Sequence, residues 1–192
     1  MRLKGVFMAV IMLTTTASVR ESDAGGDMGV SIAGEGLSGF FLVVGDYYRV
    51  PQKEIIIIRE RGIPPYEIPV VLFIAKRARV APDVITVLRL RDNAWLHTTL
   101  RFGLGPEIFY FPVGGVVRDP PYGRAYGYYK HKPKKEWKTI LLRDDDIINL
   151  VNLKLMSEHY GYPPEKIIKM RSEGKEFVLI NDEIRKEKEK IK

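Results

Sequence analysis

The chain has 192 residues, which is enough for one domain with a substantial core. Of these residues, 45% are hydrophobic and 29% are charged. It contains no cysteine, which excludes disulfides, a lipid-modified cysteine and a cysteine nucleophile. The formal net charge is +7 at pH 7, and the position of that charge along the chain is more informative than its total.

The first 24 residues have the pattern of a secretory signal peptide. Arg2 and Lys4 precede an apolar run over residues 6–13, and a small-x-small site ends at Ala24. We expect cleavage after Ala24, with Ala17 as the alternative, and therefore a periplasmic or secreted protein. A membrane anchor is disfavoured because a bilayer span needs about 20 consecutive apolar residues. No later stretch of the sequence meets that requirement, so we expect no integral membrane span after cleavage.

Residues 25–50 combine glycines with β-forming side chains, and this composition predicts a β-type segment of short strands or a hairpin. Gly34, Gly36 and Gly39 formally match the dinucleotide-binding pattern G-x-G-x-x-G. That motif requires a strand before it and a helix after it, whereas the following residues 40–44 are FFLVV and have the composition of a strand. We therefore assign no nucleotide site and expect no cofactor.

Helical spacing dominates residues 51–102 and residues 143–192, and each range is predicted to be a three-helix unit. With a shift of 82 positions, residues 67–98 align with residues 149–180. Only three of the 32 pairs are identical, so the predicted pseudo-repeat rests on pattern. The alternative is that there is no repeat, because any small helical protein would give such an alignment if it were aligned generously. The matched positions are Pro82 and Pro164, Asp83 and Glu165, Ile85 and Ile167, Leu88 and Met170, Arg89 and Arg171, and Trp95 and Phe177.

Each shared position has a physical role in forming a short helix. Proline fixes φ at the first turn, and the acid that follows it is favourable near the positive end of the helix dipole. Arg89 and Arg171 are expected in the last turn, where positive charge is favourable. Gly174 can adopt the left-handed conformation that ends such a helix, and Asp92 is a poorer substitute in the first unit. The aromatic residues Trp95 and Phe177 are then predicted to be buried between this helix and the next.

Residues 103–142, between the two units, are predicted to be a non-helical insertion. EIFYFPVGGVV is typical of strand, turn and strand, and the residues after it are rich in turn formers and in cations. Long insertions in a compact domain tend to be functional or disordered. Six Lys or Arg and a single acid fall between residues 122 and 138, so most of the net charge lies here.

This insertion is the candidate site for an anionic partner. Lys and Arg neutralise phosphate or carboxylate, and flat rings stack on sugars or bases. The partner expected is an anionic envelope polymer, namely a glycan, an acidic lipid or a nucleic acid, and a protein partner is also considered. The alternative is a hinge whose tyrosines pack on the core. The candidate binding residues are Arg124, Lys130, Lys132, Lys134, Lys135, Lys138, Tyr126, Tyr128, Tyr129 and Trp137.

No motif in the sequence identifies a reaction, so no catalytic residue is assigned. There is no G-x-S-x-G motif, and the three histidines lack the spacing of metal ligands. Asp144, Asp145 and Asp146 could act with Glu158 or Glu165 as the carboxylates of a glycan hydrolase. The three aspartates are explained more simply as the first residues of a helix.

The sequence therefore predicts a mainly α protein with minor β structure, in which two helical units are joined by a basic, aromatic insertion. We expect it to be an exported binding module rather than an enzyme, with no metal. A glycan hydrolase, and a structural or assembly factor that binds another protein, are the alternatives.

The predicted signal peptide can be tested directly on protein isolated from its native host. N-terminal sequencing of the mature chain should begin at Gly25, because the small-x-small site ends at Ala24. An intact chain that starts at Met1 in the cytoplasmic fraction would contradict the prediction of export.

Overall fold

A computed structural model describes the backbone of residues 26–190 and the side chains of residues 36–190. The described part is mainly helical and contains no strand. The predicted signal peptide lies outside the described residues. The α-helices are α1 (Gly26–Tyr48), α2 (Gln52–Glu60), α3 (Ile68–Ala78), α4 (Pro82–Leu90), α5 (Trp95–Leu100), α6 (Gly123–His131), α7 (Asp144–Tyr160), α8 (Pro164–Ser172) and α9 (Phe177–Glu189), and short 3-10 helices cover Pro65–Glu67, Pro106–Phe109 and Lys134–Thr139.

The centre of the fold is the contact between α3 and α7. Residues 68–75 of α3 and residues 146–153 of α7 are buried throughout, as expected for helices that are covered on all sides. α4 and α5 pack on α3, and α8 and α9 pack on α7. None of the described helices is both long and apolar enough to cross a bilayer.

The β-type segment predicted for residues 25–50 is wrong over its described part, because α1 covers Gly26–Tyr48. Phe40, Val43, Val44 and Tyr48 are buried at helical spacing, so the apolar residues form one face of a helix. Gly36 faces α9, where a Cβ on it would make an ordinary contact with Val178 Cγ1 at 3.5 Å. The formal dinucleotide pattern therefore lies within a helix that contacts α9.

The prediction that residues 103–142 are non-helical is also wrong. The range contains α6 and two 3-10 helices, and the expected strands are absent from this described range. Tyr122, Ala125, Tyr126 and Tyr129 are buried with spacings of three, one and three residues, which is a helical period. Two glycines in α6 reduce its intrinsic helix propensity, so packing of the tyrosines determines the conformation.

The two helix trios, α3 to α5 and α7 to α9, have matching ends. α4 and α8 begin 82 residues apart and also end 82 residues apart, and α5 and α9 begin at positions with the same shift. Arg79 and Gly161, which end α3 and α7, both have a φ of 57°. Asp92 has a φ of 56° and Gly174 a φ of 89°, so the left-handed turns expected after the short helices are present. The long helices differ, since α3 has 11 residues and α7 has 17.

Arg89 connects the first trio to the start of α7. Its Nε and Nη2 donate to the two carboxylate oxygens of Glu67 at 2.8 and 3.0 Å. Its Nη1 donates to Asp144 Oδ2 at 2.5 Å, and its guanidinium lies 4.6 Å from the Trp95 ring centroid. Burial by itself lowers the pKa of Arg89, but the bonds to Glu67 and Asp144 outweigh it and raise the pKa. The guanidinium therefore stays charged.

Arg171 occupies the corresponding place in the second trio. Its Nε donates to Asn149 Oδ1 at 3.2 Å, and its guanidinium lies 4.9 Å from the Phe177 ring centroid. Its Nη1 donates to the Lys175 carbonyl at 2.9 Å, as Arg89 Nη1 does to the Asn93 carbonyl at 3.3 Å. The two arginines differ in the partner that lies 22 residues upstream, which is a carboxylate for Arg89 and an amide for Arg171.

Four of the six apolar positions predicted to be buried in the trios are fully buried. Ile85, Trp95 and Ile167 are 0% exposed, and Phe177 is 1% exposed. Leu88 and Met170, the second members of each apolar pair, are only half-buried. They lie one turn from the ends of α4 and α8, where the helix face turns towards solvent.

The burial of Trp95 makes a quantitative prediction for folding. Trp95→Ala should lower the free energy of unfolding by about 3 to 5 kcal/mol, because it removes a fully buried ring and leaves a cavity. The matched control is Leu100→Ala on the same helix, where the side chain is 50% exposed and the change should be within about 0.5 kcal/mol. Urea denaturation followed by circular dichroism measures both. Equal effects of the two substitutions would contradict the structure.

Candidate functional site

The insertion forms a cavity of about 500 Å³ against α6, which we call the aromatic cavity. The volume lies within the range of ligand pockets. Rings and apolar side chains line it together with cations, and none of its lining residues is an Asp or Glu. The lining residues are Tyr110, Val113, Gly115, Val116, Val117, Arg118, Gly123, Tyr126, Gly127, Tyr129, Lys130 and His131.

One face of α6 forms a wall of this cavity. Gly123, Tyr126, Gly127 and Lys130 all line it, and their spacing of three, four and seven residues places them on the same side of a helix. No atom lies within 4 Å of the position that a Cβ on Gly127 would take. The missing side chain of Gly127 is therefore part of the open volume.

Gly123 has a different role, at the point where the backbone of the preceding loop crosses α6. A Cβ at this position would lie 1.9 Å from the Arg118 carbonyl oxygen. The Gly123 N–H also donates to the Asp119 carbonyl at 2.9 Å. This close approach holds Arg118 at the cavity, where its exposed side chain contributes one of the cations.

Two tyrosines of α6 attach the segment that precedes the cavity. The hydroxyl of Tyr126 donates to the Phe111 carbonyl at 2.7 Å, and that of Tyr129 donates to the Pro106 carbonyl at 2.6 Å. Burial raises the pKa of both hydroxyls, so both remain protonated donors at neutral pH. The tyrosines therefore use their polar atoms within the protein and present only ring surface to the cavity.

Trp137 anchors the residues that carry most of the positive charge. Its ring centroid lies 4.6 Å from that of Tyr110 and 4.9 Å from that of Tyr129. Its Nε1 donates to the carbonyls of Tyr129 and Lys132, at 3.2 and 3.0 Å. The chain from residue 130 to residue 138, which we call the basic segment, is thereby held against the aromatic cluster.

The five lysines of the basic segment are not neutralised by acids, and one of them, Lys134, has its Nζ 5.9 Å from the Trp137 ring centroid. Four of them are exposed and Lys132 is half-buried. Within residues 36–190, none of the five forms an ion pair with an acid. The five are Lys130, Lys132, Lys134, Lys135 and Lys138.

Arg124 differs from the other predicted cations because its charge is used inside the protein. Its Nη2 lies 2.8 Å from the Asp146 carboxylate, which is 1% exposed. Asp146 also accepts a hydrogen bond from the Arg143 N–H at 2.8 Å. Arg124 therefore joins α6 to α7, and its contact with a partner stays a prediction.

The predicted ring residues separate into accessible and buried groups. Tyr128 is 39% exposed and Trp137 is half-buried. Tyr126 and Tyr129 are 7% and 4% exposed, and Tyr122 is 1% exposed. Tyr126 and Tyr129 line the aromatic cavity, so only the parts of their rings that face it are reachable, and their contact with a ligand stays a prediction.

Sequence reasoning missed three groups of the site, namely Tyr110, Arg118 and His131, all of which line the aromatic cavity. Tyr110 and Arg118 precede the range over which we counted charge, and His131 was considered only as a metal ligand. The spacing of Gly123, Tyr126, Gly127 and Lys130 contains the signal of a helix face, but it is visible only once α6 is known to be a helix.

Four of the five carboxylates considered for hydrolysis have a partner within the protein, and Asp145 is exposed without one among the described residues. Asp144 bonds to Arg89, Asp146 bonds to Arg124, and Glu158 bonds to both Lys154 and Tyr47. Glu165 accepts from the Gly114 N–H at 2.6 Å. Among the described side chains, no group of three His, Asp or Glu residues could hold a metal ion. The geometry therefore gives no support to paired-carboxylate chemistry.

Comparisons with known proteins do not assign the chain to a family. No protein-family model matches it, and no significant match is found among curated sequences or among solved structures.

The two glycines of α6 make a matched prediction about stability. Gly127→Ala should raise the free energy of unfolding by about 0.4 to 1 kcal/mol, because the added methyl group meets no atom and restricts the unfolded chain. Gly123→Ala should lower it by about 1 to 3 kcal/mol, because the methyl group would overlap the Arg118 carbonyl. Thermal and urea unfolding measure both variants. A destabilised Gly127→Ala would show that the space beside Gly127 is occupied.

Proposed function

We propose that this protein is a non-enzymatic binding module whose basic segment contacts an anionic polymer. The observation that carries the proposal is the set of five lysines in residues 130–138 that lack an acidic partner within the described chain. Lysines elsewhere in the described chain are mixed, since Lys175 pairs with Glu183 at 2.7 Å whereas Lys53, Lys76 and Lys188 have no acidic partner. The basic segment differs because five such lysines lie within nine residues. A concentration of unpaired cations raises the local positive potential, which attracts anionic ligands.

The anchoring by Trp137 favours binding by this segment. Its ring and its two hydrogen bonds fix the backbone that carries the lysines. The entropy cost of ordering this backbone is therefore incurred during folding and not again on binding. The lysine side chains themselves remain able to adjust to a polymer.

The aromatic cavity gives the proposed site a concave part beside the basic segment. Lys130 belongs to both, and Arg118 and His131 add cationic or hydrogen-bonding groups without an opposing acid. We propose that one ring or sugar unit of the polymer enters the cavity, where the valines and the ring surfaces contact it. Its charged groups then meet the lysines outside.

The proposed location is the periplasm or the outside of the cell, on the basis of the signal peptide pattern in residues 1–24. Anionic polymers found there include envelope glycans, acidic lipid surfaces and extracellular nucleic acid. All three share repeated phosphate, sulfate or carboxylate groups, and that is the chemistry that unpaired lysines recognise.

We also infer that residues 67–98 and 149–180 are a structural repeat. The support comes from the equal shift of the helix ends, the paired left-handed residues and the two arginines that lie over aromatic rings. Each trio contributes one helix with a continuous buried stretch, residues 68–75 and 146–153, and the two helices contact each other. A repeat thus explains why the same helix signals occur twice.

The proposed binding predicts a strong dependence on salt. Affinity for heparin, for anionic lipid vesicles or for a single-stranded oligonucleotide should fall as salt rises, because each neutralised anion releases counterions. Replacing Lys132, Lys134 and Lys135 together by Gln should reduce the slope of log K against log salt by about 2 to 3. Fluorescence titration at several salt concentrations measures the slope, and comparison of the three polymers identifies the class of partner.

The control removes the same charge elsewhere, by replacing the exposed Lys53, Lys76 and Lys188 by Gln. This variant should keep most of the slope, and both triple variants should unfold at nearly the wild-type temperature. A third variant, Gly127→Leu, fills the aromatic cavity and should lower affinity for the polymer whose unit enters it, with an unchanged slope. The proposal is overturned if the affinity changes neither with salt concentration nor on substitution of Lys132, Lys134 and Lys135.

A further inference from the structure

A second cavity, of about 400 Å³, lies beside Arg171 and shares no lining residue with the aromatic cavity. It contains one cation, two acids and a largely apolar and aromatic remainder. We call it the Arg171 cavity. Its lining residues are Tyr66, Pro121, Asp145, Ile148, Asn149, Arg171, Glu176 and Phe177.

The first trio shows which chemical groups surround an arginine in this position. Two carboxylates meet Arg89: Glu67 receives Nε and Nη2, and Asp144 receives Nη1. Asp144 also accepts the N–H of Trp95, the first residue of the next helix, at 2.8 Å. A carboxylate thus bridges the guanidinium and the first N–H of α5.

In the second trio, the arginine lacks the carboxylate that accepts from both Nε and Nη2. Asn149 stands where the first trio has Glu67, and its single oxygen accepts only from Arg171 Nε, while its Nδ2 donates to the Asp145 carbonyl at 2.7 Å. No acceptor for Arg171 Nη2 lies within residues 36–190. The N–H of Phe177, which corresponds to that of Trp95, has no side-chain acceptor in the same part of the chain.

The two arginines also differ in the number of carboxylates that contact them. Arg89 is met by two carboxylates, of which that of Glu67 is 8% exposed. Arg171 is met only by Glu176, at 3.3 Å, and this side chain is 61% exposed. A ligand carboxylate that bound Arg171 would bring the count of carboxylates to the two that Arg89 already has.

Two acids limit which carboxylates can enter. Asp145 and Glu176 both line the Arg171 cavity, and both are exposed. A simple dianion would be repelled by them, whereas a ligand that also carries a positive charge would be attracted. The apolar lining from Tyr66, Ile148 and Phe177 is suited to a hydrocarbon side chain.

We propose that the Arg171 cavity binds a small zwitterion of the α-amino acid type with an apolar side chain. Its carboxylate bonds to Arg171 Nη2, whose counterpart in Arg89 donates to Glu67, and to the Phe177 N–H, whose counterpart in Trp95 donates to Asp144. Its ammonium group lies towards Asp145 and Glu176, and its side chain contacts Tyr66 and Ile148.

The test is calorimetric titration of the mature chain with leucine, phenylalanine, N-acetyl-leucine and leucinamide. Leucine or phenylalanine should bind, and each blocked form of leucine should bind at least tenfold more weakly than leucine, because it lacks one of the two charges. Arg171→Gln should abolish binding, whereas Arg91→Gln, which removes an exposed charge on the first trio, should leave it unchanged.

A second variant keeps Arg171, so that loss of the proposed site can be distinguished from misfolding of the Arg171→Gln variant. Asn149→Glu gives Arg171 the carboxylate that Glu67 gives Arg89, so the folded protein should no longer bind leucine or phenylalanine. Loss of salt-dependent polymer binding would leave this result unaffected, since the two sites share no residue. The proposal is overturned if neither free amino acid binds, if N-acetyl-leucine binds as well as leucine, or if binding survives Asn149→Glu.

Discussion

The contact of Arg89 with Glu67 and Asp144 is the constraint that sets the arrangement of the helices. It joins the start of α3, the end of α4, the start of α5 and the start of α7 through one guanidinium group. Burying these charges is favourable only while each has its partner, since removal of one member of a buried pair typically costs about 3 to 5 kcal/mol. The relative position of the trios therefore depends on all three side chains together.

The first turn of α7 extends this constraint to the insertion. Asp144 bonds to Arg89 of the first trio, and Asp146 bonds to Arg124 of α6. Asp146 also accepts the N–H of Arg143 at the start of α7. Two carboxylates in one helical turn thus hold two different parts of the chain to the same helix end. A shift of α7 would therefore move α6 and, with it, the wall of the aromatic cavity.

The sequence predicts the helix trios because their signals are local. A proline, an acid and an arginine at fixed spacing specify where α4 and α8 begin and end, and no distant contact is needed to recognise them. α1 and α6 are different, because FFLVV has the composition of a strand and GRAYGYYKH contains two glycines. In both helices, burial of one face against distant residues overrides the intrinsic preference.

The same distinction between local signals and distant contacts applies to the candidate site. The lysines of the basic segment could be predicted, since exposure of an isolated cation needs no partner. The role of Arg124 could not, because Asp146 lies 22 residues away and the pair forms only when α6 packs on α7. The lining of the aromatic cavity by Tyr110 and Arg118 likewise depends on the tertiary path of a loop without periodicity.

The hinge interpretation and the binding interpretation of the insertion both involve its aromatic rings, and only the binding interpretation involves its lysines. The buried rings of Tyr122, Tyr126 and Tyr129 attach the insertion to the core, as a hinge packed on the core requires. Four of the five lysines of the basic segment are exposed, and Lys132 is half-buried, on the chain segment that Trp137 anchors. Packing of the rings fixes the backbone that carries these lysines, so burial of the tyrosines would preorganise the cations for the proposed binding.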